Sequence, residues 1–179
     1  MVRLHDRLRA EDRRDLFEQP LDEFLRSYRL GEVAGGRAQQ ADTGEVLSCE
    51  IDIALHQSAD AAVPVLKEAL EQLGAPRGSF LRLPISGREI AVGSAEGMAI
   101  YLQTRGLPDE VYANSDINFV FEELNRLVAP QAKIHSYWEG DGETALYVYG
   151  KSFTVMRSRL AEFLASYPLC QHARVERLV

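Results

Sequence analysis

The sequence predicts an α+β fold: a ferredoxin-like split βαβ sandwich, enlarged by a third βα unit, with helices on one face of a mainly antiparallel sheet. Three observations predict it. Apolar residues alternate with period two in several short runs, recur at i, i+3, i+4 and i+7 in others, and the two kinds of run interleave along the 179 residues. With 46% apolar and 26% charged residues, the chain has the composition of one that buries a core, which excludes wholesale disorder.

Residues 1–18 are charged and weakly patterned, and read as a weakly anchored N-terminal segment ahead of a single α+β domain over 19–179. Pro20 then opens an apolar stripe of Leu21, Phe24, Leu25 and Tyr28, a short helix that ends at Gly31. Residues 32–55 read as two strands broken at Asp42-Thr43-Gly44. In the second of them Cys49, Ile51, Ile53 and Leu55 share one face, and Glu50 and Asp52 the other. Ser58 or Asp60 caps a helix carrying Val65, Leu66, Ala69, Leu70 and Leu73, with Gly74 as its stop and Pro64 placed in its first turn.

FLRLP and EIAV are short strands around a Ser86-Gly87 turn, and Gly93 and Gly97 bracket a break before the strand MAIYL. A helix over about 116–128 uses Ile117, Val120, Phe121, Leu124, Leu127 and Val128, and Pro130 closes it. KIHSYWE and ETALYVY form a hairpin across Gly140-Asp141-Gly142. Ser152 caps a last helix bearing Phe153, Met156, Leu160, Phe163, Leu164 and Tyr167, which Pro168 ends, and HARVERLV supplies a final strand. On this reading residues 45–138 alone make one βαββαβ unit, and the rest enlarges it.

Charge narrows the partners. Residues 1–40, 41–150 and 151–179 carry net charges of 0, −10 and +3. A negative middle repels phosphate backbones and attracts a basic protein, so nucleic acid is not expected as a partner. The chain has no apolar run long enough to span a membrane and does not open on a secretory signal, so the expected location is the cytoplasm. Cys49 and Cys170 lie far apart without a CxxC spacing and read as buried thiols. His5, His56, His135 and His172 are dispersed, Gly35-Gly36 lacks a phosphate-loop pattern, and Ser94-Ala95-Glu96-Gly97 lacks a nucleophile elbow. Neither metal nor cofactor nor catalytic residue is expected.

Strand parity supplies the candidate site. With a three-residue Gly-Asp-Gly loop, Glu139 faces Glu143, Trp138 faces Thr144, Ser136 faces Leu146 and Ile134 faces Val148, whereas a two-residue Asp-Gly turn shifts the pairing by one. Trp138 then belongs to the helix-covered core. The opposite face collects His135, Tyr137, Glu139, Glu143, Tyr147 and Tyr149, which Glu50, Asp52 and Tyr101 are able to join. Tyrosines among carboxylates suit a protein partner, because tyrosine offers contact area at low entropy cost and carboxylates select basic groups.

The segments LGEVAGG, LGAPRGS, EGMAIYL, GLPDEVY, SYWEGDGETALYVYG and YPLCQHARVERL resemble those of small bacterial cytosolic immunity proteins of interbacterial toxins, over about residues 20–179. The resemblance implies a negatively charged binding protein without catalytic residues. The expected function is therefore an acidic, cytosolic protein-binding module, in its specific form an immunity protein that blocks a basic toxin. A small-molecule-sensing regulatory domain is the alternative. Third is an enzyme, which needs His135 and Glu139 or Glu143 as an acid–base pair.

Overall fold

In a computed structural model describing residues 1–56 and 58–179, the chain is an α+β protein with two antiparallel sheets. It divides into two compact units, one over residues 1–95 and one over 96–178.

The first unit runs β1 (Val2–Leu4), α1 (Ala10–Arg13), a π-helical turn (Arg14–Glu18), α2 (Gln19–Ser27), β2 (Gly31–Gln40), β3 (Val46–Leu55), α3 (Ala59–Gln72), β4 (Ser79–Arg82) and β5 (Glu89–Val92). Its strands lie in the order β2-β3-β1-β4-β5, every neighbour antiparallel. Dropping β5 leaves βαββαβ with the second, third, first and fourth strands side by side, the ferredoxin-like arrangement. Cys49 and Ile51 of β3 stand opposite Leu4 and Val2 of β1, and all four are fully buried against Leu21, Leu25 and Leu70. The parity read from CEIDIAL is therefore correct.

The second unit runs β6 (Glu96–Gln103), α4 (Asp109–Asn114), α5 (Ile117–Val128), β7 (Ala132–Glu139), β8 (Glu143–Gly150), α6 (Phe153–Ser166), a 3-10 turn (Pro168–Cys170) and β9 (Arg174–Arg177). Its strand order β7-β8-β6-β9 repeats that arrangement. Val120, Leu124 and Val128 of α5 and Met156 and Leu160 of α6 cover Met98, Ile100, Leu146 and Val148 of the sheet. Asp116 caps α5 by accepting the Asn118 N–H at 2.8 Å, and Ser152 caps α6 by accepting that of Val155 at 3.4 Å.

Two expectations are corrected. The N-terminal segment is anchored: Val2, Leu4, Leu8 and Phe17 are fully buried, and β1 lies between β3 and β4. Three residues are too few to show period two, so the charges around them hid a central strand. Missing it moved the βαββαβ frame on by one strand. The expected unit over 45–138 thus spans the end of one sheet and the start of the other, and there is no added third βα unit but a second complete set. The junction between them carries no Pro- or Ser-rich linker, only Gly93-Ser94-Ala95.

Pro64 is also displaced from its expected place. Ser58 is the cap, accepting the Ala61 N–H at 3.3 Å, so α3 starts early enough to leave Pro64 inside the helix. The proline there removes one i→i−4 hydrogen bond.

Candidate functional site: an acidic and aromatic helical surface

The β7–β8 hairpin carries the six residues expected to bind a partner, and its register differs from the expected one. Gly140 N–H donates to the Glu143 carbonyl at 2.9 Å, which leaves Asp141-Gly142 as a two-residue loop, with Gly142 at φ 95°. Glu139 consequently pairs with Thr144, Trp138 with Ala145, Tyr137 with Leu146 and Ser136 with Tyr147. A bulge at His135 then restores Ile134 opposite Val148. The shorter turn and the bulge cancel, so the register agrees with expectation at Ile134 and departs from it at Ser136–Glu139.

The consequence falls on the faces. Tyr137 packs with the helix-covered core, whereas Trp138 leaves it and lies across Gly140. Tyr147 and Tyr149 do lie opposite the helices, but they are only 1% and 2% exposed. His135 is buried too, its ring 4.8 Å from that of Tyr149. Glu143 is held by Arg174 at 3.1 Å, and Arg174 in turn lies 3.8 Å over the Tyr101 ring. Glu139 alone of the six is exposed. Glu50 and Asp52 do not join this face, because they belong to the other sheet. There they face Arg37, which pairs with Glu50 and, at 2.8 Å, with Asp52.

Besides Tyr28 of the first unit, which is 66% exposed, exposed aromatic side chains occur on α5 of the second unit. Ile117, Phe119 and Phe121 of α5 are 45%, 46% and 37% exposed. Val120, Leu124 and Val128 take the buried stripe, with Phe121 on its flank; Ile117 falls in line with the stripe but stands at the first position of the helix, and Phe119 lies on the far side, about 160° round the axis from Phe121. Phe119 meets α6, its ring 6.2 Å from Phe163 and 5.3 Å from Tyr167, while Phe163 and Tyr167 stack at 5.2 Å. The Asp116 N–H donates to the Tyr167 hydroxyl at 3.2 Å and ties this cluster to the start of α5.

The stretch of chain over α4 and α5 is rich in carboxylates, most of them without counter-ions. Between Arg105 and Arg126 there is no basic residue, and that stretch holds Asp109, Glu110, Asp116, Glu122 and Glu123. Glu123 is paired with Arg126 at 2.5 Å, and one oxygen of Asp116 caps the helix. Among the described residues, Asp109, Glu110, Glu122 and Glu162 make no ion pair and no side-chain hydrogen bond. Elsewhere the chain's abundant arginines neutralise most carboxylates, as in Arg13–Glu18 at 2.6 Å and Arg82–Glu89 at 2.6 Å. The periodicity counts Ile117 and Phe121 with the core, where the structure exposes both, and passes over Phe119, although the acidic run itself is legible.

The first unit has a groove of about 480 Å³, lined by Ile53, Leu55, Val63, Leu66, Leu81 and Leu83. Its size falls in the range of small-ligand sites, roughly 300–1,000 Å³. Asp52 and Arg82 also line it, each held in an ion pair with Arg37 and Glu89 respectively. Neither cysteine is placed for nucleophilic work: burial pushes the Cys49 and Cys170 thiols up to about 11. Among the described residues no cluster of three or more His, Cys, Asp or Glu side chains is placed to hold a metal, and no helix is long and apolar enough to cross a membrane.

No family model matches the chain, and no curated protein matches it. Among solved structures it is similar to the first two RRM domains of a yeast poly(U)-binding protein, at 11% identity and a TM-score of 0.26, over 99% of this chain and 98% of that one. A likeness at that score carries no argument about what this chain folds into or binds.

Proposed function

We propose that this chain is an acidic protein-binding module with a basic partner, and that an immunity protein covering the active cleft of a basic toxin domain is its specific form. One observation supports the reading: α5 exposes Ile117, Phe119 and Phe121, and the unpaired carboxylates Asp109, Glu110 and Glu122 belong to the same stretch of chain, on α4 and α5. Apolar side chains left in water cost solubility unless a partner covers them, and carboxylates left without counter-ions favour a partner that brings cations. In this reading the protein acts in the cytoplasm, and α4 and α5 replace the hairpin as the docking face.

The test examines the genes beside the chain's own and pairs the purified chain with a basic toxin domain found there. Co-expression restores growth, and neutralising Asp109, Glu110 and Glu122 together slows association and flattens its salt dependence. Absence of both protection and binding sinks the immunity reading. Binding whose association rate is indifferent to the three substitutions removes α4 and α5 from the interface.

The groove of the first unit favours a second reading, a small-molecule sensor that takes an apolar metabolite between β3, β4 and α3. A ligand held there raises the melting temperature in proportion to the logarithm of its concentration, and Leu66→Trp, which fills the groove, abolishes the rise. A rise that persists in Leu66→Trp places the ligand elsewhere.

A further inference from the structure

Resting on the reading of a basic partner, we propose that the Phe119–Phe163–Tyr167 cluster is an arginine-selective seat. A guanidinium of the partner lies on the exposed Phe119 ring, and the unpaired carboxylates around it balance the charge.

The argument comes from three other rings that this chain covers with arginines, half-buried Phe80 and Phe153 and buried Tyr101. Arg82 lies 5.3 Å over Phe80, Arg174 lies 3.8 Å over Tyr101, and Arg177 lies 5.4 Å over Phe153. Each of these arginines also binds a carboxylate: Arg82 to Glu89 at 2.6 Å, Arg174 to Glu143 at 3.1 Å, and Arg177 to Glu96 at 2.7 Å. Ring, guanidinium and carboxylate thus recur as one arrangement, in which the planar cation stacks on the ring while its edge donates to oxygen.

At Phe119 two of the three parts are present. The rings are 5.2 to 6.2 Å apart, and the Asp116 N–H donating to the Tyr167 hydroxyl at 3.2 Å orients them. Glu122 follows Phe119 at i+3, on the same side of α5, and Glu162 adds a further unpaired carboxylate to α6. The third part is missing: among the described residues no cation of the chain lies over Phe119, Phe163 or Tyr167. The arginines of α5 and α6 nearest in sequence are otherwise engaged. Arg126 grips Glu123 at 2.5 and 2.7 Å, and Arg159 donates to the Ala129 carbonyl at 2.9 Å. A lysine ammonium satisfies the carboxylates equally well but gains less from the ring, because it is more strongly hydrated and has no flat face to stack.

The experiment uses the full chain and two labelled peptides of equal length and charge, oligoarginine and oligolysine, titrated by fluorescence anisotropy at low salt. Oligoarginine binds about fivefold tighter, the size of a cation–π contact at a half-exposed ring. Phe119→Leu keeps an apolar side chain on α5 and removes the ring. It brings the arginine peptide down to the lysine level and leaves the lysine peptide unchanged. Glu122→Gln with Glu162→Gln weakens both peptides, and circular dichroism confirms that each variant is folded. Equal affinities in the unsubstituted protein overturn the arginine selectivity and leave the basic-partner reading standing, as does a preference that survives Phe119→Leu. Binding of neither peptide overturns both.

Discussion

Asn125 of α5 accepts the backbone N–H of Ile134 at 2.9 Å, and that amide belongs to β7, an edge strand of its sheet. The same device occurs in the first unit, where Asp22 of α2 accepts the N–H of Val33 in edge strand β2 at 2.8 Å. In both units the bulge follows directly, between Val33 and Gly35 and between Ile134 and Ser136. A side chain from the helix that precedes the edge strand thus closes an edge amide that otherwise invites another strand, and the bulge bends the strand beyond it. Asn125→Ala should cost about 1 kcal/mol in urea unfolding and speed hydrogen exchange at Ile134. An unchanged exchange rate at that amide means the bond is not made in solution.

The two units differ at this position in charge, which gives them different acid responses. The Arg26 guanidinium at 2.6 Å, followed by the Val33 N–H, holds the Asp22 carboxyl below the usual carboxylate range. A group with a depressed folded-state pKa contributes stability that is full above its unfolded pKa and lost as pH falls through the folded one. Asp22→Asn keeps the acceptor for Val33 and removes the titration, so the variant should lose less stability than the parent between neutral and strongly acid pH. Equal slopes on the acid limb would show that Asp22 is not linked to folding.

Truncation at the N-terminus tests the corrected role of β1. Val2 and Leu4 are fully buried between β3 and β4, so Leu4→Ala should cost roughly 2–5 kcal/mol. Removing residues 1–5 should abolish the first sheet, read as a loss of strand signal in circular dichroism and of a cooperative melt. A truncated protein that melts like the full chain rules out β1 as a central strand.

Trp138 provides an optical check on the corrected register. A Cβ built on Gly140 meets its ring at 2.0 Å, so Gly140→Ala must displace the indole. The emission maximum and the near-ultraviolet dichroism should both change while the far-ultraviolet spectrum is kept. Spectra that stay the same return Trp138 to the helix-covered core.

Thiol chemistry reads burial directly. A pKa raised from 9.0 to about 11 leaves each cysteine about a hundredfold less thiolate at pH 8 than an ordinary one. Both should resist Ellman's reagent in the folded protein and react promptly in denaturant. Prompt reaction of either without denaturant places it at the surface.

What the sequence by itself determined is the α+β class, the inward face of β3, the helices α3, α5 and α6 and the hairpin β7–β8, because each carries its own period over seven or more residues. Local chemistry sufficed for two caps as well: Ser58, one of two candidates, and Ser152 accept amides three residues on. The tertiary structure decided everything that depends on pairing between distant segments. It made a strand of Val2–Leu4, which only β3 and β4 on either side can hold extended, and so made two ferredoxin-like sheets where one was read. It decided Tyr137 and Trp138 through a bulge that no alternation of residues announces, since one extra residue exchanges the faces of all that follow until the turn. It also decided which carboxylates stay unpaired. The acidic run around α4 and α5 was in the sequence, but whether an arginine returns to neutralise it depends on where the chain's seventeen arginines fold.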